Sequence, residues 1–387
     1  MKIRFGVIGL GNRGSKFALH SILTNPELQL IAVCDPDPKK FALFPNEDIT
    51  KYTDYMELLA NKQIDAVFIA TPDDTHGEII FQAVDYDKHI ICEKPVEVTP
   101  EKVREVEKKL KNYPRIFLVG YVLRYAPLFY KAKQLLSQGI IGDIILGNAI
   151  DHIQYGGYAF FHDWHREKKH SGSLLLQKGT HSLDIINWMI DSSPISVAGT
   201  GGLEVFGTKG AKRKFGKSVD KELVCNNCPY RFECEESLYN LKKHKGINWQ
   251  ENWPDSCVFS EKVDVDDHQA LLIKYANNAT MTYSLCQFAA FYRREYQFFG
   301  TKGELYFDDE RNEIIVSDRL KNEQMRYQFG EVTGHGGGDD ELLLDFIDCV
   351  QTGKTPRANL ESSIMVSQLA FSADQAILEN KFIQIKI

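Results

Sequence analysis

Ile3-Arg4-Phe5-Gly6-Val7-Ile8 is an apolar run that opens directly into Gly9-Leu10-Gly11-Asn12-Arg13-Gly14. A G-x-G-x-x-G turn after a strand is a phosphate cradle. The first glycine allows the tight exit, the second lets backbone approach a pyrophosphate, and the third lets the next helix pack on the sheet with its N-terminus aimed at the phosphates. The surroundings are the required ones: apolar positions at helical spacing follow (Phe17, Ala18, Leu19, Ile22, Leu23), and then a second strand, Leu28 to Cys34, ending in Asp35. A carboxylate there accepts hydrogen bonds from the adenosine ribose hydroxyls and repels a 2′-phosphate. Gly9, Leu10, Gly11, Asn12, Arg13, Gly14 and Asp35 therefore point to NAD ahead of NADP. Arg13 and the Lys39-Lys40 pair are cations that would partly offset that repulsion.

Two further groups of residues carry chemistry. Glu93-Lys94-Pro95 follows the buried-strand run Ile90-Ile91-Cys92, so Lys94 emerges at the carboxyl edge of a parallel sheet, where open α/β folds bind ligands. Its ammonium suits a substrate hydroxyl or the nicotinamide ribose. Cys225-x2-Cys228-x5-Cys234, with Cys257 further on, lies in a polar insertion near 207–260. Four thiolates brought together bind tetrahedral zinc or an iron–sulfur cluster; the irregular later spacings leave unligated thiols as the alternative.

The elements that must position these groups divide in two. Over the first third, strand and helix patterns alternate through Ile64 to Ala70, His76 to Asp85, Ile90 to Cys92, Pro100 to Asn112 and Ile116 to Tyr121, which predicts a doubly wound parallel sheet. Beyond Gly142-Asp143 long β-rich stretches dominate, joined by hairpin signals at Asn277-Asn278 and Gly300-Thr301-Lys302-Gly303. They predict a second α+β domain with a large, mostly antiparallel open sheet. The boundary is placed near residue 123, giving a dinucleotide-binding domain over 1–123 and a substrate and oligomerisation domain over 124–387.

A chain of 387 residues is long for one core, in keeping with two domains. The net charge of −7 argues against general nucleic-acid binding. A strand at the N-terminus leaves no room for a basic leader and apolar h-region, and no apolar run approaches membrane-spanning length. The expected location is the cytoplasm, which fits eight cysteines used as thiols or ligands in preference to disulfides.

The glycine turn, Asp35, Ala70-Thr71-Pro72 followed by His76, Glu93-Lys94-Pro95, Gly179-x-His181-x-x-Asp184 and Phe299-Gly300-Thr301-Lys302-Gly303-Glu304 together resemble the Gfo/Idh/MocA family of NAD(P)-dependent sugar and polyol oxidoreductases. The resemblance spans nearly the whole chain. It implies a Rossmann domain followed by an α/β domain whose sheet carries the contacts of a homodimer or homotetramer on one face. It also implies that Thr71, Pro72, His76, Glu93 and Lys94 line the cofactor, and that Lys94 and His181 are catalytic. An imidazole titrating near neutrality is suited to take the proton of a secondary alcohol as its hydride leaves. On a helix over Leu175 to Ile190, Gln177 and Asp184 would share the face of His181. The implied activity is a dehydrogenase acting on a CH–OH group of a sugar, sugar acid or cyclitol.

One departure matters. Many family dehydrogenases carry Asp four residues before the histidine, where this chain has Gln177 followed by Lys178. The alternative is an NAD-retaining glycosidase that works by transient oxidation, elimination and water addition, and that needs further acid/base groups. Asp163, His165 and Arg166, in a segment dense in aromatic rings, are candidates to bind the carbohydrate. Arg124, Gln177, Lys178 and His335, in the Gly-rich run Gly334-His335-Gly336-Gly337-Gly338, complete that set.

Overall fold

The computed structural model describes residues 2–154, 156, 160–245, 254–330 and 336–386. The first sheet contains β1 (Ile3–Ile8), β2 (Leu28–Cys34), β3 (Thr50–Tyr52), β4 (Ala66–Ile69), β5 (His89–Cys92) and β6 (Phe117–Val119). Their order is β3-β2-β1-β4-β5-β6 and every pairing is parallel. A parallel strand covered on both faces must be apolar throughout. Ala66-Val67-Phe68-Ile69 is buried at every position.

The order reverses between β1 and β4, which opens the crevice where such sheets bind ligands. Register brings the strand ends level: Ile8 stands opposite Ile69, and Ile69 opposite Cys92. The chain leaves all three together, with Ala70 N donating to Ile8 O and Glu93 N donating to Ile69 O. Gly9, Ala70 and Glu93 thus lie side by side at one edge.

The second sheet contains β7 (Ile144–His152), β8 (Pro194–Gly202), β9 (His268–Tyr275), β10 (Thr280–Cys286), β11 (Arg293–Gly300), β12 (Gly303–Asp308), β13 (Glu313–Asp318), β14 (Glu323–Gln328) and β15 (Ile383–Gln384). Its order is β14-β13-β12-β11-β7-β10-β9-β8-β15. All pairings are antiparallel except β7 with β10, which run parallel. Strict alternation along β9, with Gln269, Leu271, Ile273 and Tyr275 buried and Ala270, Leu272 and Lys274 exposed, marks a sheet covered on one face only. The helices Thr180–Ile190 and Leu360–Glu379 pack against each other, and Leu360–Glu379 also lies against β8.

The chain then returns to the first sheet. Phe346, on the helix Gly338–Thr352, lies 5.6 Å from Phe5 on β1, and Val119 N of β6 donates to Ala358 O over 2.9 Å. The β-rich part of the chain is therefore flanked by segments packed on the dinucleotide-binding sheet. Among the described residues no helix is long and apolar enough to cross a membrane.

Candidate functional site

The glycine turn has the shape its composition requires. Gly9 sits at φ +91°, and a Cβ there would lie 2.5 Å from Ala70 O. A Cβ on Gly14 would lie 1.9 Å from Gly9 O, so only glycine lets the helix close on the strand exit. Gly11 is the opposite case, since a Cβ there would meet nothing within 4 Å. The space above the turn is open, as a pyrophosphate cradle demands. Asp35 is 3% exposed; its carboxylate accepts from Leu10 N at 2.8 Å and Asp37 N at 2.9 Å, and from Lys40 Nζ at 3.1 Å. It is thereby fixed beside the turn. These residues fit a dinucleotide.

Arg13 is engaged by two carboxylates. Its guanidinium turns inward, donating to Glu93 at 2.5 Å and pairing with Asp339 at 2.7 Å, while lying over the Phe17 ring. Burial would lower its pKa, but the two carboxylates win and raise it. Asp339 is thus engaged by Arg13, and the N-cap of the helix Gly338–Thr352 is Gly337.

At the next strand exits, Thr71-Pro72 and Glu93-Lys94-Pro95 face one another. The peptide between Lys94 and Pro95 is cis. His76 clips the two segments together: its ring nitrogens lie 2.6 Å from Pro95 O and 2.9 Å from Thr71 O, and the residue is wholly buried. With both nitrogens committed, His76 shapes the cofactor edge by bracing its backbone. Glu93 accepts from the Lys94 N–H as well as from Arg13. Gly120 makes room for that carboxylate, since a Cβ there would lie 2.9 Å from Oε2.

Lys94 reaches across to the second domain and donates through Nζ to Gln177 O at 2.6 Å. Gln177 and Lys178 belong to a π-helical turn, Leu175–Gly179, that continues into Thr180–Ile190 with His181 in its first turn. Single π turns inside helices are frequent at functional sites, and this one changes the phase of the helix just before the histidine. Burial lowers the Lys94 pKa, helped by Lys178 and Arg13 and opposed by Asp73 and Glu93.

His165 joins this group. Its ring stacks on Trp164 at 3.9 Å and 19°, with Phe160 at 5.3 Å on an adjoining side. Burial, with the positive charges of Lys94 and Lys178, pushes its pKa down to about 3, so it is an uncharged imidazole at neutral pH. Asp163 caps Trp164 N at 2.7 Å and lies 3.7 Å from His165 Nδ1. Lys94, Gln177, Lys178 and His165 are therefore gathered at one junction, with His181 in the first turn of the helix that follows.

Other expectations meet different surroundings. Arg124 is 7% exposed and clamps Asp184 through two bonds of 2.7 and 2.6 Å, while its third nitrogen donates to Arg357 O. This pair ties the segment after β6 to the helix Thr180–Ile190, and it engages both side chains within the fold. Arg166 is turned into the Cys-rich insertion, donating to Cys257 O at 3.1 Å. His335 lies outside the described residues.

The structure does not support the four-thiolate metal site among the described residues. Cys225, Cys228, Cys234 and Cys257 do line one cavity with His162, but the cavity is only about 10 Å³, and Phe215, Tyr230 and Phe259 share its wall. Both nitrogens of His162 face carbonyls, Ser256 O at 2.6 Å and Glu236 O at 2.9 Å. Burial pushes the Cys225 thiol up to about 12 and the Cys257 thiol up to about 11. Among the described residues no group of three or more His, Cys, Asp or Glu side chains is arranged to hold a metal ion.

Asp73 and Glu97, two buried acids near these strand exits, escaped the sequence reading. Asp73 follows Thr71-Pro72 at a strand exit already assigned to the cofactor edge, and that position was the available signal.

Comparison with known proteins agrees with this geometry. Residues 3–121 match the family model described as an oxidoreductase family with an NAD-binding Rossmann fold, and residues 129–306 match the GFO/IDH/MocA C-terminal domain. The chain is 25% identical to the putative oxidoreductase YteT of Bacillus subtilis (strain 168), over 90% of this chain and 88% of that protein. It is 31% identical to scyllo-inositol 2-dehydrogenase (NAD(+)) of the same organism, over 52% of this chain and 57% of that one. The structure of levoglucosan dehydrogenase in complex with NADH and levoglucosan superposes with a TM-score of 0.79 at 18% identity, covering 100% of both chains.

Proposed function

The chain belongs to the Gfo/Idh/MocA family of NAD-binding oxidoreductases, and from that premise we propose that it oxidises a secondary hydroxyl of a sugar, sugar acid or cyclitol. The observation that carries this reading is Lys94: an ammonium rooted at the cofactor edge reaches the Gln177 carbonyl, four residues before His181. When bound, NAD+ supplies the hydride acceptor. Lys94 holds the substrate oxygen and favours its developing negative charge, and His181 takes the hydroxyl proton. The aromatic faces of Trp164 and Phe160 suit the C–H faces of a polyhydroxylated ring. Similarity to a scyllo-inositol 2-dehydrogenase and a levoglucosan dehydrogenase supports a cyclic polyol. On the open face of the second sheet, Leu146 and Leu272 are exposed, which supports self-association through that face.

Asp35 sets the cofactor choice in this reading. Asp35→Ser removes the carboxylate that repels a 2′-phosphate and leaves Lys40 without its partner at 3.1 Å. The expected result is a rise in kcat/KM with NADP+ and a fall with NAD+, changing their ratio by about 10²-fold, seen in parallel assays with the two cofactors. An unchanged ratio contradicts the assignment.

One observation favours a second reading. His165 adds an uncharged imidazole beside Lys94, as cleavage of a glycosidic bond by transient oxidation requires. A panel of inositols, hexoses, uronates and glycosides, assayed with NAD+ and NADP+ for both absorbance and products, separates the two. Net NADH from a free polyol supports the dehydrogenase; glycoside cleavage without accumulated NADH supports the alternative.

A further inference from the structure

His162 and Arg166 flank the Trp164-His165 pair and are buried, at 1% and 5% exposure. Both side chains run to the same place. The ring nitrogens of His162 lie 2.6 Å from Ser256 O and 2.9 Å from Glu236 O, and the Arg166 guanidinium donates to Cys257 O at 3.1 Å. All three oxygens are backbone carbonyls of the Cys-rich insertion. The main chain repeats the link, with Ser256 N donating to His162 O at 3.3 Å. Between these anchors lies the short helix Trp164–Arg166, which carries the stacked Trp164 and His165 rings. We propose that His162 and Arg166 are positioning residues that staple this helix to the insertion, so that the insertion sets how closely the Trp164-His165 platform meets the substrate ring.

The insertion is built to serve as a firm base. Its Phe259 ring packs on Phe215 at 5.5 Å and on Phe206 at 6.5 Å, and Phe206 lies 4.4 Å from Phe161, the wholly buried neighbour of His162. Rings packed in contact transmit position because little free volume lets them shift. Behind His162, Cys225 Sγ lies 3.9 Å from Nδ1, on the wall of the minute cavity that the four thiols share. The helix is tied at its far end too: Asp264 N donates to Arg166 O at 3.1 Å, and Lys168 N donates to the Asp264 carboxylate at 2.6 Å. Releasing a staple leaves a buried carbonyl without its donor, which costs more than the bond contributes when made. His162 and Arg166 act on the substrate only through the platform, and the inference rests on the assignment of Trp164 to the substrate ring.

The test reads the platform without turnover. The full-length protein, free of substrate and cofactor, is treated with diethylpyrocarbonate, and peptide mass spectrometry gives the labelling rate of His165 relative to the exposed His20. Wild type protects His165, whose side chain is 22% exposed. In Arg166→Met the Cys257 carbonyl loses its donor, and His165 reacts about 10-fold faster or more, the effect of one buried hydrogen bond on a local opening equilibrium. His162→Leu gives the same acceleration and serves if Arg166→Met folds poorly. Cys228→Ser, which alters the insertion and leaves these bonds intact, keeps the wild-type rate. With a substrate from the panel, KM for that substrate rises about 10-fold in Arg166→Met while kcat and NAD+ affinity stay near wild type. Wild-type labelling in Arg166→Met and His162→Leu, equal acceleration in Cys228→Ser, or an unchanged KM overturns the proposal. A failed substrate panel would instead count against the oxidoreductase reading, since the labelling needs no turnover.

Discussion

Lys94→Ala lowers kcat/KM for NAD-linked oxidation on the order of 10³-fold, about 4 kcal/mol of transition-state stabilisation, while NADH binding followed by fluorescence changes far less. The argument is geometric. Lys94 Nζ is the side-chain cation that bridges the cofactor edge to the backbone before His181, and no methyl group can hold an alkoxide. The pH profile carries a second signature. Burial lowers the Lys94 pKa from its ordinary 10.5, and the ammonium is the active form, so wild-type activity falls as pH rises through a value below 10.5. The residual activity of Lys94→Ala lacks that alkaline limb. Lys94→Arg keeps the charge but not the compact geometry and recovers little. A Lys94→Ala enzyme with kcat/KM within a few-fold of wild type would remove this residue from the chemistry.

The second large effect concerns stability. Arg124→Ala leaves Asp184, 1% exposed, without its bidentate partner, and also removes a guanidinium stacked 5.6 Å from the Trp188 ring centre. Breaking one side of such a buried pair costs about 3–5 kcal/mol. The pH dependence follows from Asp184. Burial already raises its pKa above the ordinary 3.8 against the pull of Arg124, and loss of Arg124 raises it further. The folded variant therefore binds a proton that the unfolded chain releases above 3.8, and its deficit grows as pH rises through the raised value. Urea midpoints at pH 5 and pH 8 check this, with the larger loss expected at pH 8. A variant as stable as wild type that binds substrate poorly would return Arg124 to the cleft.

Local patterns in the chain carried much of this arrangement. The strand, the three glycines and Asp35 lie within one βαβ unit, where spacing maps onto position, so the cradle was legible. Lys94 was legible for the same reason: a buried parallel strand delivers the next residues to the carboxyl edge. Partners far apart in sequence were not. Arg124 reads as a cation available to substrate until Asp184, sixty positions away, is seen to hold it. Arg13 reads as a phosphate ligand until Glu93 and Asp339 fold around it. Leu175-Leu176-Gln177-Lys178-Gly179 has ordinary helical composition, and periodicity does not tell its π turn from an α turn. The cysteine spacing brings four thiols together, as expected of ligands, but the cavity they line is minute and aromatic side chains share its wall.

The central claim, that a ring or chain carbinol carbon of a polyhydroxylated substrate gives its hydride to NAD+ beside Lys94 and His181, is tested most directly with C-deuterated polyols. The wild-type protein is incubated with NAD+ and the deuterated inositols and sugars of the panel, and the cofactor is recovered for mass spectrometry. The account predicts deuterium on the nicotinamide ring with at least one of them, lost in Lys94→Ala. Cofactor that binds but never acquires deuterium from any polyol or glycoside, even in a single turnover, would contradict it.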